Sequence, residues 1–205
     1  MDELGLDQVV LAGYDIGSRI AQTVARRSPE RVRALVVTPP VPGAGQRLLA
    51  PEVLAEFWYQ DLHRLDLAAR LLDGHRDALR SYLEHFWTHW SGPGYVPADD
   101  ALDRLADAYA RPGAFTASIG WYRAGPPLLS RGLAEQAPPP AERLTVPTSV
   151  LWPAEDPLFP SAWADRLDEF FTDVTVTPVP GTGHFVPLEA PDALAAAVRS
   201  VLPPA

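Results

Sequence analysis

The residues Gly13-Tyr14-Asp15-Ile16-Gly17 stand between an apolar run, Val9 to Ala12, and a stretch patterned for a helix, Ser18 to Ser28. A strand that passes into a helix through so short a turn holds its central residue in a strained conformation, with the side chain clear of the strand end. Glycines two positions to either side are expected to remove side chains that would strike the strand or the helix. The residue at the tip sets the chemistry. A serine there must lose a proton before it attacks an acyl carbon, whereas an aspartate is already an anion near neutral pH. An anionic carboxylate suits displacement at a saturated carbon, which leaves an alkyl ester on the protein. Read alone, the string is also what an ordinary strand-to-helix turn with an exposed aspartate looks like. Its context carries the argument, because an acid, Asp156, and then a histidine, His184, follow it in chain order.

Composition narrows the classes. A chain of 205 residues with 47% hydrophobic content is globular and long enough to bury a sizeable core. It has no cysteine, which excludes disulfides, thiol catalysis and cysteine-ligated metals, and fits a reducing, cytoplasmic setting. The net charge of −9 argues against nucleic acid or an anionic membrane as partner. The acidic start Met1-Asp2-Glu3-Leu4 does not read as a signal peptide, and no apolar run approaches the ~20 residues of a membrane span. Twenty-three prolines, clustered at Pro39-Pro40, Pro126-Pro127 and Pro138-Pro139-Pro140, mark element boundaries.

Along the chain, Val9 to Ala12 and Val32 to Thr38 read as buried parallel strands joined by the helix Ser18 to Ser28, a right-handed βαβ unit. From about Leu48 to Ala137 the pattern is helical and rich in aromatics. The expected helices run from Pro51 to Leu72, His75 to Trp90, Ala98 to Ala110 and Ala114 to Ala124, with a short one near Leu128 to Glu135. Strand and helix then alternate again: a strand at Thr148 to Trp152, a helix at Pro160 to Phe171 with proline in its first turn, a strand at Val174 to Pro178, a loop at Gly181-Thr182-Gly183-His184 and a last helix at Pro191 to Leu202. The fold class is α/β, with core residues 1–43 and 141–205 and an all-helical cap, 44–140, inserted between them.

The core resembles the α/β-hydrolase superfamily over most of the chain. Leu151-Trp152-Pro153-Ala154-Glu155-Asp156-Pro157 is similar to that family's acid loop, although Pro153 stands where glycine is usual. Pro180-Gly181-Thr182-Gly183-His184-Phe185-Val186-Pro187-Leu188-Glu189 is similar to its histidine loop. The order nucleophile, acid, histidine is also the family's. Two segments of the cap, Phe57-Trp58-Tyr59-Gln60 and Gly120-Trp121-Tyr122-Arg123, resemble those that supply paired tyrosines in epoxide hydrolases. A phenol donates a hydrogen bond while staying neutral at pH 7, which is what the opening of an epoxide to an alkoxide requires. The resemblance implies these roles: Tyr59 and Tyr122 activate the epoxide oxygen, Asp15 attacks a ring carbon, and His184, oriented by Asp156, directs water at the ester. The backbone N–H of Ile16 holds the oxyanion. Trp58 and Trp121 are expected in the substrate pocket. No metal and no organic cofactor is implied. His85 and His89 lie four apart on a helix, a metal-ligand spacing, but with no evident third ligand.

The strands present match only the fifth to eighth of the family's eight. The resemblance therefore implies a chain shortened at its N-terminus, a half-sheet protein, or a remnant kept for binding, of which the first is favoured. In each case Val9-Val10-Leu11 is an open strand edge, suited to pairing with a second copy or a complementing chain. The competing activities are those of haloalkane or haloacid dehalogenases, which share the aspartate and histidine, and non-catalytic binding of a small molecule.

Overall fold

A computed structural model describes residues 1–202. Its sheet has four parallel strands in sequence order: β1 (Val9–Gly13), β2 (Val32–Val37), β3 (Thr148–Pro153) and β4 (Val174–Val179). β1 is joined to β2 through helix α1 (Ile16–Arg27). The register sets Gly13 beside Val37, Val37 beside Val150 and Pro153 beside Val179, so the strand ends that carry the candidate site come out on one side. β1 pairs only with β2 among the described residues, and Val9, Val10 and Leu11 are half-buried.

The side chains of the sheet alternate between two apolar layers, as period-2 geometry requires. Leu35, Val37, Val150 and Trp152 pack with Ala21 and Ala25 of α1. Leu151 and Val179 point to the other side, against Ala193, Leu194 and Ala197 of the last helix, α11 (Pro191–Val201). A short helix, α10 (Val186–Glu189), precedes it. Between β3 and β4 the expected helix is a 3₁₀ run over Ser161–Glu169 with Trp163 and Leu167 buried.

Between β2 and β3 the chain is helical: α2 (Pro51–Glu56), α3 (Trp58–Arg64), α4 (Asp66–Leu72), α5 (Arg76–His89), α6 (Asp99–Tyr109), α7 (Ala114–Ser118), α8 (Gly120–Arg123) and α9 (Leu128–Leu133). The single helix expected over Pro51 to Leu72 is three. The break at Leu65, which is extended with ψ 145°, is compensated from elsewhere in the fold. Arg123 donates to the carbonyls of His63 and Leu65, each at 2.8 Å. Carbonyls that leave a helix need replacement donors, and α8 supplies them. Likewise the helix expected over Ala114 to Ala124 divides at Ile119. These helices share a core with the sheet, in which Val53, Tyr59, Phe86 and Trp90 pack together with Trp152, Leu158 and Phe185. A second cluster, Ala68, Leu72, Leu79, Phe115 and Ile119, binds the helices to one another.

The turn at Asp15 depends on one of its two glycines. A Cβ on Gly13 would lie 2.5 Å from the Gly17 carbonyl oxygen and 2.8 Å from the Ser18 Cα. A Cβ on Gly17 would meet nothing within 4 Å, so the expected steric need for glycine there is absent. Gly17 sits in the first turn of α1, where alanine reduces the freedom of the unfolded chain. Gly13→Ala is therefore expected to cost about 3 kcal/mol or more, because the collision is with backbone that cannot rotate away. Gly17→Ala is expected to be neutral or to stabilise by up to about 1 kcal/mol. Denaturant midpoints of the two variants check this pair.

Candidate active site

Asp15 caps α1 with φ 49° and ψ −121°. It is the only described non-glycine residue at positive φ, a conformation that costs about 1–3 kcal/mol and persists only where the surroundings over-determine it. The over-determination is local. The Gly17 N–H donates to the Tyr14 carbonyl at 2.8 Å and the Ser18 N–H to the Asp15 carbonyl at 3.0 Å. Below, Ser18 and Gln22 of α1 both donate to the Pro40 carbonyl.

His184 is 2% exposed. Its Nδ1 lies 3.0 Å from Asp156 Oδ2, and the other oxygen of Asp156 accepts the Leu158 N–H at 2.8 Å. Burial opposes the charged imidazolium, but the Asp156 carboxylate and then Asp15 outweigh it, so His184 titrates above an ordinary histidine. Asp15 is displaced upward too. Burial is the main cause, partly offset by His184 and by a hydrogen bond from the Ile16 N–H to its carboxylate. Asp15 precedes Asp156 and His184 by well over a hundred residues in sequence, yet both bear on its titration, and it bears on that of His184.

A cavity opens over Asp15. Its wall includes Ile16, Tyr59, Trp121 and Tyr122. Trp58 is not on that wall. It is half-exposed and stacks on Phe86 at 5.8 Å and 13°, because α3 presents its Tyr59 face to the cavity and turns Trp58 toward α5. The rings of Tyr59 and Tyr122 meet edge to face at 5.8 Å. Burial, together with the Asp15 charge, holds both phenols well above their ordinary titration range. Both are therefore neutral hydrogen-bond donors at any ordinary pH.

Three further residues, none of them assigned a role from the sequence, also shape this region. Trp90 stands 5.3 Å from the His184 ring and 5.2 Å from the Tyr59 ring, and its carbonyl accepts the His184 N–H at 2.7 Å. Glu189 accepts three backbone N–H groups, from Gly92 (2.7 Å), Gly183 (2.8 Å) and Phe185 (2.9 Å). A Cβ on Gly183 would collide with the Trp90 carbonyl, so glycine is what lets the histidine loop lie against the end of α5. Tyr14 packs on His184 from the other side, at 5.6 Å. The aromatic density of α5 was the available signal for Trp90. Glu189 closes the histidine-loop string, but its partner Gly92 is remote in sequence, so its role was not legible there. His85 and His89 stack on each other at 5.5 Å, and His89 pairs with Glu56 at 2.9 Å.

The profile of the α/β-hydrolase fold matches residues 1–191, and the chain belongs to that family. It is 27% identical over 206 residues to haloalkane dehalogenase 2 of Mycobacterium tuberculosis, a match covering 97% of this chain and 65% of that protein. The chain thus spans somewhat less than two thirds of the length of this relative. Among solved structures it is similar to an epoxide hydrolase from metagenomes of hot environments (29% identity, TM-score 0.77, 100% of this chain and 70% of that one). It is also similar to Cfl2 of Burkholderia cenocepacia (25% identity, TM-score 0.76, 97% and 67%). No helix among the described residues is long and apolar enough to cross a membrane.

The upward shift of Asp15 has a consequence for stability. A carboxyl whose folded pKa lies above its unfolded value of about 3.9 contributes stability at low pH and loses it as pH rises through the folded pKa. Asp15→Asn removes that loss. The variant is expected to melt at a higher temperature than the parent at pH 7–8, with the gap narrowing as pH falls toward 4. Melting curves of both proteins across that range test the sign.

Proposed function

We propose that this chain carries the active site of an epoxide hydrolase working through an aspartyl ester. The observation that carries the reading is the placement of the Asp15 carboxylate in a cavity walled by two neutral phenols, with a buried, carboxylate-paired histidine behind it. One Asp15 oxygen attacks a ring carbon, the C–O bond of the epoxide breaks, and Tyr59 or Tyr122 protonates the departing oxygen. The ester carbonyl is that of Asp15 itself, so the oxyanion of the second step forms on the group that the Ile16 N–H already contacts. His184 takes a proton from water as hydroxide adds to the Asp15 carboxyl carbon. On collapse His184 returns its proton to the departing alkoxide oxygen, the vicinal diol leaves, and the carboxyl proton left on Asp15 passes back to the tyrosinate, which restores carboxylate and phenol.

The two half-reactions are linked electrostatically. Asp15 is one of the charges that raise His184. Ester formation removes that charge, so the imidazole becomes easier to deprotonate when a base is needed. Its proton state then makes ester hydrolysis rise with pH through the His184 titration. On this reading the protein requires no metal or organic cofactor and acts on a small electrophile. Residues 44–140 form a helical cap on a core of residues 1–43 and 141–202.

A dehalogenase is the second reading, favoured by the curated relative and by Trp121 on the cavity wall as an indole donor to halide. Ile16 at the position after the carboxylate supplies no side-chain donor.

His184→Gln is expected to stop the second step and spare the first. Intact-mass spectrometry of this variant after exposure to epoxides should show a stoichiometric adduct on Asp15. Labelling by alkyl halides alone would favour the dehalogenase, and ligand binding with no adduct from either reagent would point to a binding role. Tyr59→Phe with Tyr122→Phe should slow ester formation from epoxides by about 10²-fold or more, read from the rate of adduct growth, while leaving labelling by alkyl halides within about tenfold of the parent.

A further inference from the structure

The chain carries a net charge of −9, yet the cavity over Asp15 is ringed by cations. Arg19, Arg64 and Arg131 stand on its wall, and among the described residues Asp15 is the one acidic side chain there. Two of the three are occupied. Arg64 donates to the carbonyls of Tyr122 and Gly125, and the Arg131 guanidinium lies 6.0 Å over the Trp121 ring.

Arg19 is different. It lies in the first turn of α1, four residues after Asp15, which caps that helix. Its Nε is shut off from solvent and has no hydrogen-bond partner, and no described side chain forms an ion pair with it. Elsewhere Arg31, Arg47, Arg76, Arg104 and Arg166 each reach a carboxylate within 3.0 Å. The charges around Arg19 are Glu135, Asp15 and Arg131. Glu135 lines an adjoining crevice with Arg19 and accepts the Gly43 N–H at 2.7 Å. A guanidinium held partly out of water with unused donors lacks what usually offsets its desolvation.

We infer that Arg19, with Arg131 beside it, is a carboxylate-binding subsite, so that the substrate is a small epoxide bearing a carboxylate a few bonds from the ring. This rests on the epoxide reading for the reaction, though not for the binding. The planar fork of Arg19 matches a carboxylate through two parallel hydrogen bonds. Arg19 and Asp15 line the same cavity and feel each other's charge, which places that carboxylate close to the carbon that Asp15 attacks. Anchoring the anion there would orient the ring and offset the repulsion between substrate and nucleophile.

The test uses a probe that cannot react. trans-2-Phenylcyclopropanecarboxylate replaces the epoxide oxygen by CH₂, and its carboxamide is the neutral control. Calorimetry on the parent protein is expected to show the carboxylate binding about tenfold tighter or more, since hydrogen bonds between charged partners are the strong kind. Arg19→Gln should abolish the difference, and Arg19→Lys, which keeps charge but not the fork, should retain part of it. Equal binding of the two probes by the parent, or a preference that survives in Arg19→Gln, overturns the subsite. The parent comparison needs no variant to fold. Turnover of the matching phenylglycidate over its amide is scored separately: carboxylate binding without turnover sinks the epoxide reading and leaves the subsite standing.

Discussion

A single carboxylate, Glu189, joins parts of the chain that meet only in the folded state. Its two oxygens take the backbone N–H groups of Gly92, Gly183 and Phe185, which ties the end of α5 to the loop that carries His184. Hydrogen bonds to an ionised acceptor are the stronger kind, about 1.5–3 kcal/mol each. The His184 N–H adds a fourth main-chain bond, to Trp90. With its backbone held on both sides, the imidazole has one place to lie, between Trp90, Tyr14 and Asp156. The helical layer is thereby part of what positions the histidine as well as the roof over the cavity.

Within that frame the site combines strain with burial. Asp15 is held at positive φ and its carboxylate is removed from water, two costs that packing elsewhere must offset. Each buried charge is made tolerable by another: His184 by Asp156 and Asp15, Asp15 by His184 and the Ile16 N–H. Such groups respond strongly when one of them changes charge, because little water intervenes to screen the effect. The phenols behave oppositely. Buried beside a carboxylate, Tyr59 and Tyr122 are kept protonated, so they act as fixed donors and do not titrate.

Much of this was legible in the sequence, and for local reasons. Asp15, Asp156 and His184 each sit in a short string whose neighbours specify a turn, so a few residues announced each position. The four strands were visible as apolar runs, and each boundary falls within two residues of its expected place. Of the two breaks in the long helix expected over Pro51 to Leu72, the one at Leu65 is held by Arg123, a side chain some sixty residues on, which no local propensity reveals. Trp58 and Tyr59 are adjacent in sequence and equally aromatic, so periodicity alone did not decide which faces the cavity. The packing of α3 on α5 turns Tyr59 inward and leaves Trp58 against Phe86. The equivalence assigned to Gly13 and Gly17 failed similarly, since only the first has backbone pressed against it.

The sequence by itself determined the α/β class, the order of the elements and the identities of the chemically capable residues. These follow from hydrophobic period, turn chemistry and the side-chain inventory, all of which act over a few residues. Only the tertiary structure decided which of those residues share a cavity, that Trp90 and Glu189 hold the histidine loop, and that Arg19 is left with unused donors beside Asp15. Those outcomes depend on contacts between segments tens of residues apart. The free energy of such contacts comes from burial and pairing, and neither is defined until the chain has closed on itself.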